Sequence, residues 1–206
     1  MNQSGNAEKK NKKTDAYLTW KHRLDIVFAF LALCALAPFM LLLVLLIRLD
    51  SRGPAIFTQM RVGQNEKLFP CYKFRTMLKD SPHHLASADF SEAQNYITRV
   101  GKLLRKTSLD ELPQLINILR GEMSFIGPRP LIPEETQVHE LRRKYGVYAL
   151  RPGISGYAQV NGRDFVSDEE KARLDDYYLN HLSLRLDVKV LVDTVVNVIR
   201  KKDIQN

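Results

Sequence analysis

The chain has 206 residues, 45% of them apolar, and a formal net charge of +8. That length holds one domain with at most an appendage, and the basic balance points to an anionic partner: nucleic acid, a phospholipid surface or a phosphorylated substrate. Two cysteines, Cys34 and Cys71, without CxxC spacing or a histidine cluster, argue against a disulfide framework and a zinc site and fit a reducing compartment.

Residues 1–16 are polar and lysine-rich and read as a disordered basic arm. Residues 17–206 carry no internal repeat and no linker, and read as one membrane-attached domain. From Ile26 to Ile47 no residue is charged. A helix of that length would be about 33 Å long, enough to cross a bilayer. A cleaved signal peptide is disfavoured. Ala35-Leu36-Ala37 has the small-residue pattern, but the apolar run continues well beyond Pro38. Two features favour re-entry over spanning. Pro38 removes a backbone donor near the middle. Both flanks are also basic, with Lys9, Lys10, Lys12, Lys13, Lys21 and Arg23 before the run and Arg48, Arg52 and Arg61 after it. The residues alone leave both topologies open.

Further on, Ala55–Val62 and Leu68–Arg75 flank Gly63-Gln64-Asn65-Glu66 as a β-hairpin. Period two puts Lys73 and Arg75 on one face, either a solvated face or an anion platform. Residues 78–92 read as a loop. Ile97, Val100, Leu103 and Leu104 form the apolar stripe of a basic amphipathic helix, and a short helix follows around Leu115, Ile116 and Leu119. Gly127-Pro128-Arg129-Pro130 is irregular. Pro133 opens a helix over Glu134–Tyr145 that Gly146 ends. Residues 151–163, RPGISGYAQVNGR, are loop-like. Ser167 with Glu170 starts a helix from Asp168 to about Leu182. Val188, Leu191, Val192, Val195, Val196 and Ile199 then repeat at helical spacing, a stripe for core or lipid.

The chemistry centres on Asp110 and Glu111 in TSLDELPQ, residues 107–114. Ser108 with Glu111 matches a capping box, which would make the pair a helix start. Pro113 spoils that register; with Asp110 as cap it falls in the tolerated first turn. Arg105, Lys106, Arg120 and Arg129 lie nearby in sequence and suit phosphate oxygens. Carboxylates near phosphates call for a divalent cation, and carboxylates also serve as nucleophiles toward phosphorus. Neither GxxxxGK[ST] nor GxGxxG is present. The residues alone give a membrane-attached, phosphate-handling site.

Four motifs in order carry a resemblance. They are the membrane segment broken at Ala37-Pro38; FTQMRVGQNEKLFPCYKFRTM, residues 57–77; RKTSLDELPQLINILRGEMSFIGPRPL, residues 105–131; and RPGISGYAQVNGR. From Lys21 to Lys202 the chain resembles the bacterial sugar transferases, the monotopic phosphoglycosyl transferases. The resemblance implies an α+β, mostly helical monotopic fold with a re-entrant helix over 26–47, surface amphipathic helices and a small β-hairpin. It implies transfer of a sugar 1-phosphate from a UDP-sugar to polyprenyl (undecaprenyl) phosphate with release of UMP, initiating a surface glycan at the cytosolic face of the bacterial inner membrane. It further implies Mg²⁺ at Asp110 and Glu111, with Asp110 as the nucleophile. Larger relatives carry extra spanning helices and a further domain before this core, so this chain looks like the minimal form. Phosphate contacts are expected from Arg105 and Arg129, then Lys73, Arg75, Arg151 and Arg163. The phospholipid bilayer is an expected partner, nucleic acid is not, and a homodimer stays open. Two rival readings also stay open: direct attack by polyprenyl phosphate without a covalent step, and a basic peripheral membrane protein without catalysis.

Overall fold

The computed structural model describes residues 3–79, 81, 96–162 and 167–200, with side chains from residue 14 onward. The loop expected over 78–92 lies mostly outside the described residues, as does Arg163.

The first element is one long helix, α1 (Gln3–Asp50). From Gln3 the polar arm is continuous with it, as extending an existing helix is far easier than nucleating one. Pro38 lies inside α1, and the helix is not interrupted at Ala37-Pro38. One missing donor there is offset by packing on both sides: Leu33 and Leu36 before it and Met40 and Leu43 after it rest on the domain. Among the described residues α1 is the one helix long and apolar enough to cross a membrane.

A hairpin of β1 (Ile56–Val62) and β2 (Leu68–Phe74) follows, antiparallel, with Phe57 opposite Lys73 and Arg61 opposite Phe69. Its connection uses a 3-10 turn, Gln64–Glu66, with Asn65 in the left-handed region. Next come α2 (Arg99–Thr107), capped by the Thr98 hydroxyl accepting from Gly101 N–H, a 3-10 turn (Leu109–Glu111) and α3 (Gln114–Leu119). Two three-residue strands, β3 (Ser124–Ile126) and β4 (Gly153–Ser155), pair in parallel. Between them lies α4 (Thr136–Tyr145), closed by Gly146 at φ +71. The chain ends with α5 (Tyr157–Asn161), α6 (Asp168–Asn180) and α7 (Leu184–Ile199), the last two capped by Ser167 and Ser183. The architecture is α+β and mostly helical, as expected.

All three apolar clusters draw on α1. Ala29 packs with Phe69, Cys71, Leu115, Ile118 and Met123. Leu43 and Ile47 pack with Ala55, Phe74 and Leu104. Leu18 closes the third cluster around Ile126, Leu150, Tyr178 and Val190. Polar contacts hold both ends. At the first, Tyr17 O–H donates to Asp187 Oδ2 at 2.9 Å, Lys21 Nζ lies 2.8 Å from the same carboxylate, and Ser124 O–H donates to Asp25 at 2.6 Å. At the second, Val100 N–H donates to Asp50 Oδ2 at 2.9 Å and Arg75 donates to Ser51 O at 2.7 Å.

The two ends of the apolar run therefore rest on one domain. Meanwhile Phe28, Leu31, Leu42 and Leu45, all apolar, are each 50–56% exposed on the outer side of α1. A row of that kind in water would be an association liability, whereas against acyl chains it is favourable. The α7 stripe also turns outward. Val188, Leu191, Val192, Val195 and Ile199 are exposed, and Asp187 and Val190 face the core instead.

Candidate active site

The two carboxylates sit on the 3-10 turn between α2 and α3. Ser108 ends α2 in the left-handed region, φ 56, so its backbone N–H closes the helix while its hydroxyl makes no capping bond. Pro113 precedes α3 without a side-chain cap. Neither arrangement read from the pattern is realised: Ser108 does not cap with Glu111, and Asp110 does not cap α3. The first turn of α3 is satisfied by backbone bonds such as Leu115 N–H to Leu112 O and Ile116 N–H to Pro113 O. Both carboxylates are left for other partners.

Lys73 is the nearest of these. Its Nζ lies 2.7 Å from Glu111 Oε1 and 4.0 Å from Asp110 Oδ2. The side chains are 24%, 20% and 14% exposed respectively, so the cluster is shielded but open on one side. Arg105, on α2, is held by Nε donating to Thr76 Oγ1 at 2.9 Å and lies close enough to Asp110 to interact electrostatically. Arg129, exposed in the loop after β3, and Arg61, on β1, both act on Glu111. The sequence places Arg61 only in the basic flank of the apolar run, not in the site. It lies on the same hairpin face as Lys73, by the pairing of Phe57 with Lys73 and Arg61 with Phe69. Its guanidinium donates to Pro130 O at 3.1 Å and Gln59 Oε1 at 2.7 Å, tying the hairpin to the Arg129 loop.

The electrostatics split the pair. Burial first, then the neighbouring Glu111 charge, push Asp110 up to about 6, against the pull of Lys73 and Arg105. Burial acts on Glu111 in the same direction, but Lys73, Arg129 and Arg61 together hold it below the usual carboxylate range. Burial, then the like charge of Arg129, lower the Arg61 pKa. Crowded cations of this kind favour an incoming anion.

Other expected residues lie apart. Arg75 is 7% exposed, past the end of β2, with its guanidinium donating to Ser51 O, Ser51 Oγ and Arg52 O at the C-terminus of α1. Its two terminal guanidinium nitrogens are taken by that helix end and its Nε is buried without a partner, away from the Asp110–Glu111 turn, so it leaves the phosphate-binding set. Arg151 donates to Gly121 O at 2.9 Å and lines a separate cavity with Lys21, His22, Asp25 and Tyr178. Arg120 lies over the Tyr72 ring, 5.3 Å from its centroid, on the opposite hairpin face from Lys73. Among the described residues no cluster of three or more His, Cys, Asp or Glu could hold a metal alone. Two adjacent carboxylates do fit Mg²⁺, which takes one or two such ligands and completes its shell with substrate phosphate oxygens and water.

A glycine and a buried ion pair set the loop that carries Arg129. Gly127 lies so close to β4 that a Cβ would meet Arg151 O at 2.3 Å. Arg142, on α4, donates to Arg129 O at 2.8 Å and pairs with Asp175 of α6 at 2.6 Å, both side chains nearly fully buried.

The profile described as bacterial sugar transferase matches residues 16–201. The chain is 40% identical over 185 residues to the undecaprenyl-phosphate glucose phosphotransferase of Komagataeibacter xylinus, covering 85% of this chain and 35% of that protein. It is 41% identical over 187 residues to the UDP-N-acetylgalactosamine-undecaprenyl-phosphate N-acetylgalactosaminephosphotransferase of Aeromonas hydrophila, covering 87% of this chain and 43% of that one. It is 37% identical over 187 residues to the uncharacterized sugar transferase EpsL of Bacillus subtilis, covering 90% of both. The chain thus spans less than half of the two phosphotransferases and nearly all of the third protein.

Proposed function

Because the chain belongs to the bacterial sugar transferase family, we propose that it transfers a sugar 1-phosphate from a UDP-sugar to polyprenyl phosphate. The products are UMP and a polyprenyl diphosphosugar, the first lipid-linked unit of a surface glycan. The single observation that carries this reading is the uncapped Asp110–Glu111 turn facing Lys73, Arg105, Arg129 and Arg61.

In the proposed reaction an Asp110 Oδ attacks the β-phosphorus of the donor. The bond from that phosphorus to the bridging oxygen breaks, and the oxygen leaves with UMP. A phosphosugar-aspartate ester remains. An oxygen of polyprenyl phosphate then attacks the same phosphorus and expels the Asp110 carboxylate, which is restored. At neutral pH a carboxyl titrating near 6 is about nine-tenths ionised, so Asp110 is competent to attack. Lys73 neutralises Glu111 and keeps a second anion from opposing the incoming phosphates. Arg105 and Arg129 bind phosphate oxygens, with Arg61 supporting them. Asp110 and Glu111 would hold a Mg²⁺ ion, which would supply Lewis-acid neutralisation of the diphosphate.

The bacterial cytoplasmic membrane is the proposed site of action, with the domain on the cytosolic face. Supporting this are the two polar-anchored ends of α1 on one domain and the exposed apolar row between them. A domain held on the membrane surface lets a soluble donor and a lipid acceptor reach one turn.

Incubation with a UDP-sugar, without acceptor, separates the two chemical routes. The covalent route releases about one UMP per site and leaves a sugar-phosphate adduct on the peptide containing Asp110. The Asp110→Asn variant should give neither and lose turnover by several orders of magnitude while remaining folded. UMP appearing only after polyprenyl phosphate is added would instead favour direct attack.

A further inference from the structure

Asn117 is 0% exposed in the middle of α3, and all of its amide groups are used. Its Oδ1 accepts from Tyr72 N–H at 3.1 Å. Its Nδ2 donates to Pro70 O at 2.7 Å and to Glu122 Oε2 at 2.6 Å. Pro70 O and Tyr72 N–H lie on the edge of β2 that does not face β1. A side-chain carboxamide between them does what the peptide group of a third strand would do. Pro70 has no N–H to leave unpaired on that edge, which is where a strand proline is tolerated.

The location of this clamp matters more than its strength. On one side it grips Tyr72, the residue before Lys73. On the other, α3 and the carboxylate turn form a continuous hydrogen-bonded rod, through Glu111 N–H to Ser108 O, Leu112 N–H to Leu109 O and Leu115 N–H to Leu112 O. Glu111 is six residues before Asn117, about 9 Å along that rod. The apolar contacts of Leu115 and Ile118 with Phe69 and Cys71 hold the same two elements together, but such packing tolerates sliding. Two bonds to fixed backbone atoms do not.

We infer that Asn117 is a positioning residue for the transfer reaction: it sets the register between the strand bearing Lys73 and the turn bearing Asp110 and Glu111. This rests on the function proposed above. The test uses a double-mutant cycle and a geometric probe. Asn117→Ala should lower the rate of UMP release about 100-fold, the scale of an ångström-sized misplacement. In a Lys73→Met background, with nothing left to position, the same change should lower it less than about threefold. Losses that multiply would overturn the inference. For a readout independent of catalysis, cysteines replace Lys73 and Glu111 in a Cys34→Ser background, and a short bis-maleimide joins them in native membranes. Adding Asn117→Ala should slow cross-linking several-fold, and unchanged cross-linking would overturn the inference. Lack of UMP from the wild type would count against the proposed function and leave the cross-linking arm intact. Should the Ala variant not fold, Asn117→Asp keeps the shape while turning a carboxylate toward Pro70 O and Glu122. If neither variant folds, Asn117 is a fold residue and the inference fails.

Discussion

Replacing Lys73 by Met keeps most of the side-chain stem and removes the charge. The 4.0 Å separation from Asp110 gives an attraction of about 4 kcal/mol at an effective dielectric constant of about 20. That corresponds to about 3 pKa units before correction. Two effects reduce it. Water reaches about a quarter of Lys73, and Glu111, without its partner, also protonates more readily and repels Asp110 less. A net rise of about 1–2 units remains. The sign follows from the chemistry. Asp110 titrates near 6, so activity that needs its anion is present above that pH and lost as pH falls through it. In Lys73→Met the acid limb should move up by that amount, with low turnover at pH 7 partly recovered at pH 8.5. Single-turnover UMP release across a pH series reads the limb directly. A lower plateau with the limb at its wild-type position would refute the electrostatic reasoning and leave Lys73 as a phosphate ligand only.

Arg142→Met should cost about 3–5 kcal/mol in stability, because it strands the Asp175 carboxylate in the core; thermal melting in detergent measures this, and loss of the bond to Arg129 O should also weaken donor binding. Gly101→Ala should destabilise the fold and lower activity together, since a Cβ there would meet Thr76 O at 2.0 Å and push α2, with Arg105, off the site. Cysteines at Asp15 and Arg200 should both resist an impermeant thiol reagent in intact cells and react after lysis; labelling of only one of them from outside would mean that α1 spans.

Where a pattern was long enough to repeat, the sequence read well. The hairpin carried period-two arms around Gly63, and α6 its Ser167 cap. The α7 stripe spanned three turns, but periodicity alone does not say whether a stripe meets core or lipid. The pair β3 and β4 was not legible. Three residues show no period, and their partners are distant in sequence. Arg75 misled for a specific reason. Period two places it on the face of Lys73, and its N–H still bonds Ala55 O in the hairpin register, but it lies one pair beyond the strand, where the carbonyls at the end of α1 take its guanidinium. Pro38 lies within the span of α1, and the sequence offers no sign of the packing on either side of it. Asp110 and Glu111 were found from sequence, while Arg61 needed the hairpin register. Asn117 could not be found from any pattern, because what singles it out is two backbone atoms on another element.

The packing of α1 also bears on how the protein can be handled. A membrane anchor joined by a tether can be cut away to leave a soluble enzyme. Here Ala29, Leu43 and Ile47 are interior residues, and removing the helix would uncover Ile118, Met123, Phe74 and Leu104 at once. The anchor and the core it packs on are one object. A water-soluble version would have to be made by repainting the outer row, Phe28, Leu31, Leu42 and Leu45, with polar side chains, keeping the helix and its inner face as they are.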